Sequence, residues 1–168
     1  TLTSDAYLTR LNDPTPWTSR TLPNFQGMNR TMCKVAATHG QGTGGYLLTI
    51  QLGAEPENEA RLMNWLSSVT LPALAARAGL CAAHLLLGDQ AVSATPTQEK
   101  ELRGAPDAVA DWVVVVEGYD LPALTQAKAE LTGRDGLILH GAAPVLEAGL
   151  YTLDFSLGED EAKRVWQL

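Results

Sequence analysis

Cysteine and histidine are scarce in this chain, and each scarcity removes a class of explanation. Two cysteines, Cys33 and Cys81, cannot build a disulfide framework, and neither belongs to a CxxC pair. The chain therefore reads as a reduced, cytoplasmic protein. The three histidines, His39, His84 and His140, fall on separate elements with no second His or Cys at ligand spacing, so no metal is expected. No run approaches the ~20 consecutive apolar residues a membrane span needs, and no basic-then-apolar leader opens the chain. Lys and Arg number 12 against 19 Asp and Glu, a net charge of −7. That balance argues against nucleic acid and anionic membrane surfaces as partners.

What is present describes a globular domain. The chain has 168 residues, 45% of them hydrophobic and 18% charged, enough for one real core with some extra material. Ser4 and Asp5 can cap a short helix over residues 4–12, and Pro14, Pro16 and Pro23 interrupt any continuation. Residues 30–38 alternate as a strand, and the glycines from Gly40 to Gly45 form a turn. Residues 46–52 are a strand with Tyr46, Leu48, Ile50 and Leu52 on one face and Leu47, Thr49 and Gln51 on the other.

A helix is expected over residues 57–77, buried along Leu62, Trp65, Leu66 and Val69 and interrupted at Pro72. Gly79 ends it, and a strand follows over 80–87, with Cys81 turned to the core beside Ala83 and Leu85. Residues 89–110 are a long polar connection in which Gln98–Glu101 could form a flap. Residues 112–119 are a β-branched strand, and Asp120 caps a helix over 121–131 that stops at Gly133. Residues 134–148 are ambiguous. The last strand is expected over 150–157, with Tyr151, Leu153, Phe155 and Leu157 on the helix side and Thr152, Asp154 and Ser156 opposite. A short helix over 159–166 closes the chain.

From residue 46 the order is strand, helix, strand, strand, helix, strand. This predicts an α+β fold of ferredoxin-like, split βαβ type: one antiparallel sheet with two helices on one face. The other face would carry Leu47, Leu80, Ala82, Leu86, Val113 and Val115 among polar side chains. A face this apolar is expected to be covered by a second sheet.

Trp65, the segment Leu71-Pro72-Ala73-Leu74, Gly79-Leu80 and the strand residues Ala83-His84-Leu85 together resemble the dimeric α+β barrel superfamily. The resemblance is closest to its EthD-like members, with antibiotic-biosynthesis monooxygenase-type proteins as relatives. It covers residues 46–157, and two motif positions differ: Thr70 stands in place of the family's His, and Ala78 in place of its Pro. The resemblance implies two ferredoxin-like sheets facing each other around a lumen, from two subunits or two repeats, and chemistry that often needs no cofactor. On that view residues 1–39, which open at Thr1 and run helix then strand, are the tail of a truncated preceding repeat, or an N-terminal arm packed on a neighbour. Residues 40–168 are the barrel domain.

The glycines Gly40, Gly42 and Gly45 match G-x-G-x-x-G, but a strand rather than a helix follows, so a hairpin connection is expected instead of a dinucleotide site. No G-x-S-x-G elbow accompanies His39-Gly40. The candidate site is the polar row on the open face: His84, Asp154 and Glu117 as acid–base residues, and Thr49, Gln51 and Thr152 as ligand contacts. A carboxylate there, partly desolvated by Leu47, Val113 and Val115, is expected to have a raised pKa unless His84 or an amide donor satisfies it. The expected function is a cofactor-independent, enzyme-like or binding barrel, most simply a homodimer, holding a compact and mostly apolar organic molecule. The alternative is a non-catalytic dimeric assembly or stress-type module.

Overall fold

The computed structural model describes residues 4–25, 27–104, 108–156 and 158. In chain order its elements are α1 (Asp5–Asn12), α2 (Pro16–Thr21), β1 (Cys33–Gly40), β2 (Tyr46–Ala54), α3 (Glu59–Trp65), a π-turn (Leu66–Thr70), α4 (Leu71–Ala75), β3 (Leu80–Gly88), α5 (Gln90–Ser93), α6 (Gln98–Arg103), β4 (Trp112–Gly118), α7 (Leu121–Thr132) and β5 (Ala142–Thr152). The strands form one antiparallel sheet in the order β1-β3-β4-β2-β5. Strands β2 to β5 keep the split βαβ order expected from the sequence. β1 pairs beside β3, not beside β2 as a hairpin across Gly40–Gly45 would require. The sheet order excludes pairing with β2, which already has β4 and β5 on its two sides; β1 instead takes the outer edge of β3.

The helices cover one face. Leu48, Ile50, Leu85, Val114 and Val116 are fully buried against Leu62, Leu66, Leu71, Leu124 and Leu137. Each such side chain contributes about 1.5–3 kcal/mol of transfer free energy. Asp120 caps α7 by accepting the Ala123 N–H at 3.0 Å, and α7 buries Leu124, Ala127 and Leu131. Gly79, at φ +88°, leads into β3 at a point where an added Cβ would lie 2.8 Å from Ala123 Cβ.

The expected helical stripe holds for Leu62 and Leu66 and then breaks. Leu71 N–H reaches back to the Leu66 carbonyl across the π-turn, so the buried positions after it are Leu71 and Leu74, while Val69 is 57% exposed. Pro72 has no N–H, and in a regular helix its ring would press on the carbonyl four residues earlier, so the chain widens just before it.

Two further expectations are corrected. β5 begins at Ala142, with Leu146, Ala148 and Leu150 opposite Leu52, Ile50 and Leu48 on the helix side. Thr152 is the partner of Tyr46, the first residue of β2. The chain beyond it has no strand to pair with, so Leu153 and Phe155 are exposed. Tyr151, expected in the core, lies opposite Leu47 on the open face. Leu157 and the helix expected over 159–166 lie outside the described residues. In β3, the register shifts between Leu80 and Ala82, which moves Leu80 into the core rather than onto the open face.

The glycine-rich segment is not a hairpin, since β1 and β2 are not neighbours. Residues 41–45 span the ends of β3 and β4, three strand spacings or roughly 14 Å. At Gly44 a Cβ would meet the Gly118 carbonyl oxygen at 2.3 Å, so the strap lies directly on the end of β4. The described residues of 4–32 and 89–110 meet at the opposite end of the sheet. There Met32 N–H donates to Ser93 Oγ at 2.9 Å, and Gln98 N–H to Asn12 Oδ1 at 3.1 Å. Pro16 opens α2 at a position where no N–H is needed, and Thr15 caps that helix by accepting the Thr18 N–H. No helix among the described residues is long and apolar enough to cross a membrane.

Candidate functional site

The face away from the helices is ordered by strand register. Thr38, His84, Val115, Thr49 and Gly149 form one row across all five strands. Ala82, Glu117, Leu47 and Tyr151 form the next row on one side, and Leu86, Val113, Gln51 and Glu147 the row on the other. Thr38 reaches this row because β1 carries an extra residue between Val35 and Ala37, which shifts its alternation. At the far edge an added Cβ on Gly149 would lie 2.5 Å from the Tyr151 hydroxyl oxygen, so the tyrosine ring lies over the glycine.

Three polar side chains join on this surface. Thr38 Oγ1 is 3.1 Å from His84 Nδ1, and His84 Nε2 is 3.6 Å from Glu117 Oε1. The other carboxylate oxygen of Glu117 accepts the Gly44 N–H at 3.2 Å. His84 and Glu117 are 22% and 24% exposed, so both are reachable yet largely shielded. When Thr38 donates to Nδ1, the Nε2 proton faces the carboxylate, which supports the imidazole from behind. When the imidazole is protonated, Nδ1 donates to Thr38 and the ring pairs with Glu117. In either arrangement Thr38 and Glu117 stand at the two ring nitrogens of His84.

The strap supplies the amide donor that the sequence required for a carboxylate here. Cys81, expected in the core, is instead close enough to Glu117 to feel its charge: burial first, then that carboxylate, push the thiol up. Burial alone pushes up Cys33.

Of the residues singled out in the sequence, His84 and Glu117 are brought together. Thr49 shares the His84 row, with Val115 between them. Gln51 shares the face, but its Oε1 accepts from Asn29 Nδ2. Thr152 lies on the helix side opposite Tyr46, and Asp154 is exposed beyond the end of β5. Both are removed from the site, because β5 lies earlier in the chain than its alternation suggested. Thr38 and Gly44 were missed, since neither the bulge in β1 nor the path of the strap has a local sequence signature.

Outside this face, His140 stacks on Trp65 with ring centroids 3.7 Å apart. Among the described residues, no group of three His, Cys, Asp or Glu side chains is arranged to hold a metal ion. No protein-family model matches the chain, and a search of curated proteins returns no match either.

Proposed function

We propose that the open face is covered by the same face of a second copy, forming a dimeric α+β barrel of EthD-like kind. The lumen between the sheets would hold a compact, mostly apolar organic molecule, with no cofactor needed. The observation that carries this reading is the Thr38–His84–Glu117 chain, set among Leu47, Leu86, Val113 and Val115 on a sheet face that no helix among the described residues covers. Ligand sites commonly combine apolar walls with a few placed polar groups of this sort. His84 is the group that would accept or return a proton, Glu117 orients it, and Thr38 either relays the proton or binds the ligand. With both cysteines free thiols, the cytoplasm is the compartment that suits the protein.

A second reading, a dimeric module without chemistry, is favoured by the outer positions of the same face. There Val35 and Tyr151 are 65% and 55% exposed and would meet a partner without forming a site.

Light scattering separates assembly from site. The wild type should be a dimer, and Val115→Asp should be monomeric or unfolded, because a buried unpaired charge costs several kcal/mol. A monomeric wild type would sink both readings. In a thermal-shift screen of small organic compounds, a hit that stabilises the wild-type dimer should fail to stabilise a dimeric His84→Ala. A dimer with no hit, or a hit indifferent to His84, leaves the module reading.

A further inference from the structure

A cleft lies away from the sheet face, where α1, the chain before β1 and the α5–α6 connection meet. It encloses about 150 Å³. Leu8, Leu11, Met32 and Val92 supply apolar walls, and Arg30 and Lys100 also line it. Among the described residues the two cations are held by neutral groups. Arg30 donates to the Tyr7 hydroxyl at 2.8 Å. Lys100 Nζ donates to the Ser93 and Thr95 carbonyls, the latter at 2.9 Å. Among the described residues neither has a carboxylate within ion-pair reach, whereas Lys34 pairs with Asp89 and Arg77 with Glu130. In a chain with seven surplus negative charges, two cations that share an apolar cleft with no described acid lining it are a local inversion of the protein's overall charge.

We propose that this cleft binds a small amphipathic carboxylate, one aromatic ring or a short aliphatic chain bearing a single acid group. The apolar part fills the space between Leu8, Leu11, Met32 and Val92, and the carboxylate meets Arg30 and Lys100. Size supports a single ring, since an apolar cavity of about 150 Å³ accepts benzene. Charge supports the acid: one N–H of Arg30 is engaged with Tyr7, and a guanidinium has further donors in a fork matched to a carboxylate. None of these residues belongs to the sheet-face site, so the inference stands whether or not that site binds a ligand.

Benzoate and hexanoate titrated into the full chain, followed by isothermal calorimetry and by backbone amide shifts, test it. Saturable binding with Kd on the order of 1 mM or tighter is expected, with shifts at residues 7–11, 30–32 and 92–100. Benzamide should bind at least tenfold more weakly than benzoate. Arg30→Gln should weaken benzoate about tenfold, while Arg30→Lys, which keeps the charge, should retain part of the affinity. Lys100→Gln should weaken it too. If that variant unfolds, because the Lys100 bonds to the Ser93 and Thr95 carbonyls are lost, the Arg30 pair and the loss of affinity with added salt decide the matter. Absence of saturable binding overturns the proposal. So do equal affinities for benzoate and benzamide, or shifts confined to His84 and its neighbours.

Discussion

Glu117 sits where three neighbours meet: it accepts the Gly44 N–H, faces His84 and holds up the Cys81 thiol. Its effect on Cys81 is measurable without a ligand. Replacing Glu117 by Gln removes a charge that disfavours the thiolate, so Cys81 should react faster with iodoacetamide at neutral pH. Cys33, shifted by burial alone, should keep its rate. Peptide-resolved mass spectrometry reads both, and an unchanged rate at Cys81 would place the thiol away from the carboxylate. Asp89 offers a pH test. Its hydrogen bond from Lys34, then that from Val92 N–H, hold its carboxyl below the usual range. A carboxyl lowered on folding adds stability above its unfolded value, near pH 4, that is lost as pH falls through the folded one. Asp89→Asn should therefore lower the urea midpoint at pH 6 and reduce the further loss on acidification. Equal acid limbs for both proteins would contradict it. His84 and Glu117 were legible because β3 and β4 are interior strands whose apolar alternation fixes which residues face away from the helices. Thr152 and Asp154 were misplaced because their alternation is equally regular on and off the sheet, and only the start of β2 at Tyr46 decides where pairing stops.

The helical stretch from Glu59 to Ala75 shows how one residue type resets an element. Leu62, Leu66, Leu71 and Leu74 are buried in steps of four, five and three, so the stripe is regular except across the π-turn. Deleting the exposed Ser68 would turn the Leu71-to-Leu66 bond into an ordinary α-helical one and restore steps of four, four and three. It would also bring the Ser67 carbonyl under the Pro72 ring. Deletion of Ser68 alone should thus cost about 3 kcal/mol, the usual penalty of an interior proline. In a Pro72→Ala background the same deletion should cost far less. Urea denaturation of the four proteins completes the cycle, and equal costs in both backgrounds would detach the π-turn from Pro72. The presence of this helix was plain in the sequence. Its second half was not, because a 3.6-residue period carried past Pro72 selects Val69, which the π-turn rotates outward. The glycine segment escaped for a different reason: its composition signals a turn, but the strands a turn joins need not be neighbours.

On the scale of the molecule, both edges of the sheet are poor templates for another strand. β1 carries its bulge and the exposed Lys34, and β5 carries the exposed Pro144 and Glu147. Such edges discourage side-by-side growth and leave the open face as the surface on which sheets can meet. The strand order that produces this sheet contains no hairpin. Even β3 and β4, the closest partners in sequence, are joined through α5 and α6, and β2 finds β5 from the opposite end of the domain. No pair of strands can therefore zip from a tight turn, and each must first close a long loop of chain. Refolding should accordingly be slow for a domain of this size, in milliseconds to seconds, with β2 exposed until the last strand arrives. Stopped-flow tryptophan fluorescence, to which the buried Trp112 contributes, can follow it. Recovery of the full amplitude within microseconds would mean that the order of strands does not set the barrier. In a cell, that interval is the period in which the chain is open to aggregation through the unpaired edge of β2.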